Sequence, residues 1–157
     1  MISESKARLY VLFSLGKDRY ALPASDVVEV LPIRPFKSIS AAPEWLLACF
    51  VDEQHSIAVV DVAKQLLGVH SAVRTSTRLV VVEVVKNRRL ALMLEKASET
   101  VRIADELFVD THLANQVPFL GPVAQTPWGL IQKVEARALL SQNTLQWLFE
   151  RLEHADA

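Results

Sequence analysis

The side chains able to do chemistry in this chain of 157 residues are four histidines, one cysteine, a few serines and two adjacent carboxylate pairs. A structural zinc site needs His and Cys ligands at short, fixed spacings. His55, His70, His112 and His154 are isolated from one another, and Cys49 has no second cysteine to join it. A serine nucleophile needs a sharp elbow with small neighbours, whereas Ser14, Ser56 and Ser98 fall in or beside strand patterns without GxSxG. Asp52-Glu53 and Asp105-Glu106 are neighbours in sequence, placed where turns carry solvated charge, and are no pair set across a substrate. Gly16, Gly68, Gly121 and Gly129 form no GxGxxG or GxxxxGK cluster, so a phosphate-cradling loop lacks its material. The nearest approach to a catalytic set is Asp110, His112 and Asn115 in the polar stretch Val109 to Val117, which matches no known triad. An enzyme with a site in a seam around that loop is the weakest of the readings. The expectation is a protein without catalysis, metal or cofactor.

Bulk properties narrow the partners. With 51% apolar residues the chain can bury one good core, and it is short for two independent domains. A formal net charge of -1 and a pI near 6.4 leave no long-range basic field for nucleic acid. Cys49 sits in the apolar run Leu46 to Val51 and behaves as a small hydrophobe. Ser3, Glu4, Ser5 and Lys6 interrupt any signal-peptide core, and the apolar runs at 46–51 and 79–85 are far short of the roughly 20 residues that span a bilayer. A cytoplasmic protein without direct membrane insertion is expected.

The elements that must carry these residues come in two copies. At an offset of 70 positions Arg8 to Phe13 stands over Arg78 to Glu83, Arg19-Tyr20-Ala21-Leu22 over Arg89-Leu90-Ala91-Leu92, and Glu29, Leu31 and Ile33 over Glu99, Val101 and Ile103. After a small slip, Leu46-Leu47-Ala48 stands over Phe119-Leu120-Gly121 and Ala63 to Leu67 over Ala136 to Leu140. A repeat of this length is one supersecondary unit used twice. In the first copy, Leu9–Leu15 and Arg19–Leu22 read as a hairpin about Gly16-Lys17-Asp18, and Val27–Leu31 as a third strand. Ala41–Trp45 reads as a helical turn, Leu46–Val51 and Ile57–Asp61 as strands flanking a tip, and Ala63–Leu67 as a helix stopped by Gly68. Val69–Ser76 is expected to link one lobe to the other. The second copy repeats the plan with strands at 79–85, 88–94, 99–103, 119–124 and 129–134, then helix at 135–140. A last helix follows a cap at Ser141 or Asn143; Leu145, Leu148, Phe149 and Leu152 bury one face, with Trp147 pointing away.

Within this plan the residues resemble the CheW-like domain of bacterial chemotaxis. Tyr20-Ala21-Leu22 is similar to a tyrosine-glycine-isoleucine start, Val27-x-Glu29-Val30 to the VxEI motif, and Pro35, Ile39, Ala42, Pro43 and Asp61 fall on recurrent positions. The likeness continues through Arg78–Ile103 and Gly121–Leu140. It implies an all-β fold with short helices: two SH3-like five-stranded β-barrel lobes in pseudo-two-fold arrangement and a C-terminal helix. A single domain over 1–157 would hold modules at 8–68 and 78–140 and a helical segment at 141–154. It further implies a non-enzymatic adaptor between the cytoplasmic tip of methyl-accepting chemoreceptors and the regulatory domain of a CheA-type histidine kinase.

The resemblance places partner contacts at Val27, Glu29, Val30, Glu53 and Leu79, and Trp147 is a further candidate from its exposed side of the last helix. The family's NLRG tip reads Val51-Asp52-Glu53-Gln54 here, so Glu53 stands where arginine is usual and Gln54 where glycine is. Reversing a charge at a contact turns attraction into repulsion, a common source of specificity. The alternative is a small-barrel module binding a ligand or nucleic acid, since fold does not fix function. For nucleic acid, Arg19, Arg88 and Arg89 are scattered near hairpin turns with only Tyr20 beside them.

Overall fold

Period-two burial along the strands divides the apolar side chains into three layers. The computed structural model describes residues 6–34, 36–39, 41–53, 55–112, 117 and 119–155. The strands are β1 (Ala7–Leu15), β2 (Asp18–Pro23), β3 (Val27–Pro32), β4 (Lys37–Ser38), β5 (Leu46–Asp52), β6 (His55–Asp61), β7 (Arg78–Val85), β8 (Arg88–Ala104), β9 (Phe108–Val109), β10 (Leu120–Thr126) and β11 (Gly129–Val134). The α-helices are α1 (Val62–Leu67) and α2 (Gln142–Ala155).

The strands form two sheets that curl into small barrels, as the family resemblance implies. One runs β3-β7-β8-β6-β5-β4, using β8 up to Leu94; the other runs β8-β1-β2-β11-β10-β9, using β8 from Glu95 onward. Both orders describe the same barrel once β7 is set against β1, the first half of β8 against β2, and β3 against the second half of β8. The registers agree: Leu79↔Leu31 and Val80↔Leu92 in one barrel answer Tyr10↔Val101 and Val11↔Leu22 in the other. Tyr10 is therefore the counterpart of Leu79, one position away from the frame that sets Arg8 over Arg78. Each barrel also contains one parallel pair, β6 with β8 and β11 with β2.

These pairings separate the lobes from the repeats. Each half of the chain donates its first hairpin to the barrel built mainly by the other half. The segment expected to link the lobes, Val69–Ser76, instead joins α1 to β7 beside a single barrel, because β6 and β7 belong to one sheet. The chain crosses between lobes at Pro23, through a 3-10 turn over Ala24–Asp26, and again inside β8 near Lys96. There the strands expected at 88–94 and 99–103 become one 17-residue strand with a bulge in place of a loop.

Odd residues of β1 and even residues of β7 and β8 face the space between the barrels. Val11, Phe13, Val80, Val82, Leu90, Leu92 and Leu94 meet there, joined by Leu145, Leu148, Phe149 and Leu152 of α2. The opposite faces fill the barrels: Tyr10, Leu12, Ala21, Ile103, Ala124 and Ile131 in one, and Leu31, Ile57, Val59, Leu79, Val81, Ala91 and Met93 in the other. The layer between the lobes is the largest of the three. Two expected helical pieces are shorter: Glu135–Leu140 contains a 3-10 turn over Ala136–Ala138, and Ala41–Trp45 is turn, with Leu46 N–H donating to the Pro43 carbonyl. Ser141 caps α2 by accepting from the Thr144 N–H at 3.1 Å.

Asp61 ties the end of β6 to α1 and to the segment beyond it. Its carboxylate is fully buried, accepts from the Lys64 N–H as the cap of α1, and takes the Ser71 N–H and the Ser71 hydroxyl, the latter at 2.6 Å. His70 Nδ1 lies 3.1 Å from its other oxygen. Gly68 closes α1 at φ +78, a left-handed position where an L side chain is strained.

Because every barrel draws strands from both halves, the protein should unfold in one transition. Leu92→Ala is expected to cost roughly 2–5 kcal/mol and to raise amide exchange in β1 and β7 together, as chemical denaturation and hydrogen exchange will read. Asp61→Ala should cost about 3 kcal/mol through donors left buried without an acceptor, and should free 69–77 to proteolysis.

Candidate partner-binding surface

Strand β3 presents most of the expected contact residues. Val27 is half-buried against the central layer, Val28 and Val30 are each 43% exposed, Glu29 is exposed, and Leu31 points into the barrel. Three consecutive exposed residues break the alternation of a half-buried strand. The cause is a register shift against β7, where Val27 pairs with Val82 and Glu29 already pairs with Val81, leaving Val28 as the extra residue.

The β5–β6 hairpin brings its tip to the same edge. Asp52 pairs with His55, and Glu53 takes φ +48, a left-handed conformation that costs a non-glycine residue roughly 1–2 kcal/mol. Gln54 and the side chain of His55 lie outside the described residues. Glu29 interacts with Asp52 through a shared hydrogen bond and with Glu53 and Arg34 through charge. Glu29 and Glu53, apart in sequence, thus fall in one acidic edge with Asp52, a grouping that no motif in the sequence announces. Val51, 68% exposed, leads into that tip, and the Arg34 guanidinium lies 5.2 Å from the Phe50 ring centre. Val28, Val51 and Asp52 are the residues that sequence reasoning missed; the exposed valines look like core until the bulge and the hairpin turn them outward.

Two expected contacts lie elsewhere. Leu79 is fully buried among Leu31, Ile57 and Met93, paired to Leu31 across β3–β7, so its side chain is unavailable to a partner. Trp147 does not simply point away from the buried face. It is half-buried against the central layer, lines a cleft with Pro43, Trp45, Asn143 and Thr144, and carries the Arg151 guanidinium 4.9 Å above its ring. None of those cleft residues belongs to β3 or to the β5–β6 hairpin.

The polar residues that might have done chemistry have structural neighbours. Asp110 and His112 are both exposed, with Nδ1 3.8 Å from Oδ2, and the His112 N–H donates to the Asp110 side chain across a local turn. Asn115 lies outside the described residues. Among the described residues, no group of three or more His, Cys, Asp or Glu side chains is placed to hold a metal ion. No helix of the described residues is long and apolar enough to cross a membrane.

Partial loss of hydration at this edge, then the Asp52 carboxylate with its shared hydrogen bond, then Glu53, hold the Glu29 carboxyl above its ordinary range, and Arg34 pulls it back. A carboxyl raised on folding adds stability below its ordinary value and loses it as pH rises through the folded one. Glu29→Gln should therefore be more stable than wild type at neutral pH, with the advantage vanishing as pH falls into the carboxylate range. Denaturation curves at a series of pH values will read the crossover.

A family model of the CheW-like domain matches residues 9–143. No curated protein matches the chain significantly. Among solved structures, the crystal structure of the scaffolding protein TtCheW from Thermoanaerobacter tengcongensis is similar, with a TM-score of 0.75 and 20% identity over 91% of this chain and 94% of that one. At that identity the structural likeness carries the fold of two lobes, while the family match spans most of the chain. The chain belongs to the CheW-like domain family.

Proposed function

We propose that this chain works in the cytoplasm as the coupler between the tip of methyl-accepting chemoreceptors and the regulatory domain of a CheA-type histidine kinase. The acidic edge of β3 and the β5–β6 tip would carry one of the two contacts. The observation behind this reading is the meeting of Glu29, Asp52 and Glu53 beside valines that a bulge turns to the surface. Exposed apolar side chains supply area to bury, and a rim of one charge sign selects the partner. Here the rim is acidic, so it favours a partner segment carrying Lys or Arg and rejects an acidic one. The Trp147 cleft is a second contact in this proposal, since a half-buried tryptophan beside Trp45 offers an anchor that is already positioned. Leu79 acts indirectly, by holding β3 against β7.

The two contacts separate by measuring each partner alone. Against the isolated kinase regulatory domain and against a receptor tip, Glu53→Arg should change affinity for one partner by about tenfold or more, with a changed salt dependence. Val30→Asp should weaken the same partner and leave the other unaffected. Wild-type affinity of both variants for both partners would remove the β3 edge from the interface.

A further inference from the structure

A second polar feature lies where β8 crosses from one barrel to the other. Leu12 pairs with Glu99 and Ser14 with Glu95, so Lys96, Ala97 and Ser98 bulge opposite Phe13 alone. Lys96 takes φ +51, and Ala97 turns into the central layer while its N–H donates to the Ser76 carbonyl at 2.9 Å. With Ala97 turned inward, Lys96 and Ser98 are left on the outer side. The β1–β2 turn folds over the same place. A cleft of about 630 Å³ results, lined by Ser14, Gly16, Lys17, Arg19, Ser76, Lys96, Ser98 and Glu99.

Its chemistry is lopsided. Three cations, Lys17, Arg19 and Lys96, stand around one carboxylate, and no ion pair holds any of them among the described residues. Three hydroxyls add donors, with Ser14 only 9% exposed. One carboxylate cannot balance three cations, and the excess positive charge repels itself in a chain whose net charge is close to zero. A tetrahedral dianion offsets that excess: its oxygens accept from the charged side chains and the hydroxyls that line the cleft. A carboxylate supplies half the charge and fewer acceptors.

We infer that the crossover cleft binds the phosphoryl group of a small molecule, through Lys17, Arg19 and Lys96 with Ser14, Ser76 and Ser98. The cleft volume falls in the range of small-ligand sites, larger than a bare phosphate requires. The inference is independent of the coupling role, because the cleft shares no residue with the β3 edge or the Trp147 cleft.

The test is a nuclear magnetic resonance titration of the full chain with inorganic phosphate, glycerol 3-phosphate, acetate and chloride at matched ionic strength. A saturable shift of the Ser14, Ser76 and Ser98 amides is expected with the phosphates, tighter for the ester. Arg19→Gln and, separately, Lys96→Asn should each weaken it about tenfold. Lys17→Gln, in an exposed turn, gives a variant whose fold is safe and should weaken binding too. No saturation with either phosphate, equal response to acetate, or unchanged affinity in folded variants would each overturn the assignment. Saturation by inorganic phosphate with no gain for the ester would overturn the larger ligand.

Discussion

One strand belongs to both barrels. β8 pairs with β7 and β6 up to Leu94 and with β1 from Glu95, so neither barrel closes without the other. Its even residues, Leu90, Leu92 and Leu94, are shared property of the layer between the lobes, which also receives α2. The main hydrophobic burial therefore lies at the seam, where a two-lobed protein made from independent units would have a thin, polar contact.

Irregularities in this regular frame are where the surface becomes specific. The bulge at Val28 turns apolar side chains outward on β3; the wider bulge at Lys96 opens the basic cleft. Both arise next to a lobe crossing, where the chain must leave one sheet and enter another with changed twist. The hairpin tips differ in the same spirit. Asp52-Glu53 makes the β5–β6 tip acidic, while the equivalent β10–β11 tip carries Trp128, 42% exposed, and is followed by Leu130, 63% exposed. Pseudo-symmetric lobes thus offer unlike surfaces.

Much of the fold was legible because strands announce themselves by alternation and turns by Gly, Pro and Asn. The hairpins β1–β2 and β7–β8, the helix α1 with its Gly68 stop and the buried face of α2 all come from local pattern. Glu29 and Glu53 were legible only as contact candidates, through the family resemblance. Leu79 was not legible as core, since a leucine opening a strand looks the same whichever face it takes; the register with Leu31 decides it. Trp147 likewise looked outward on a lone helix, and it is half-covered because Pro43 and Trp45 come from a distant turn.

Residue order alone establishes that there are two copies of one β unit, which segments are strands, and which residue types could reach a partner. Spacing and side-chain type act over a few residues, and that range suffices for such statements. Which copy's strands pair with which is settled in three dimensions, because the pairings of Leu79 with Leu31 and of Tyr10 with Val101 link residues whose separation no local pattern records. The same long-range pairing set Glu29 beside Asp52 and gathered Lys17, Arg19 and Lys96 around one cleft. Charge and exposure become a surface only once distant strands are neighbours.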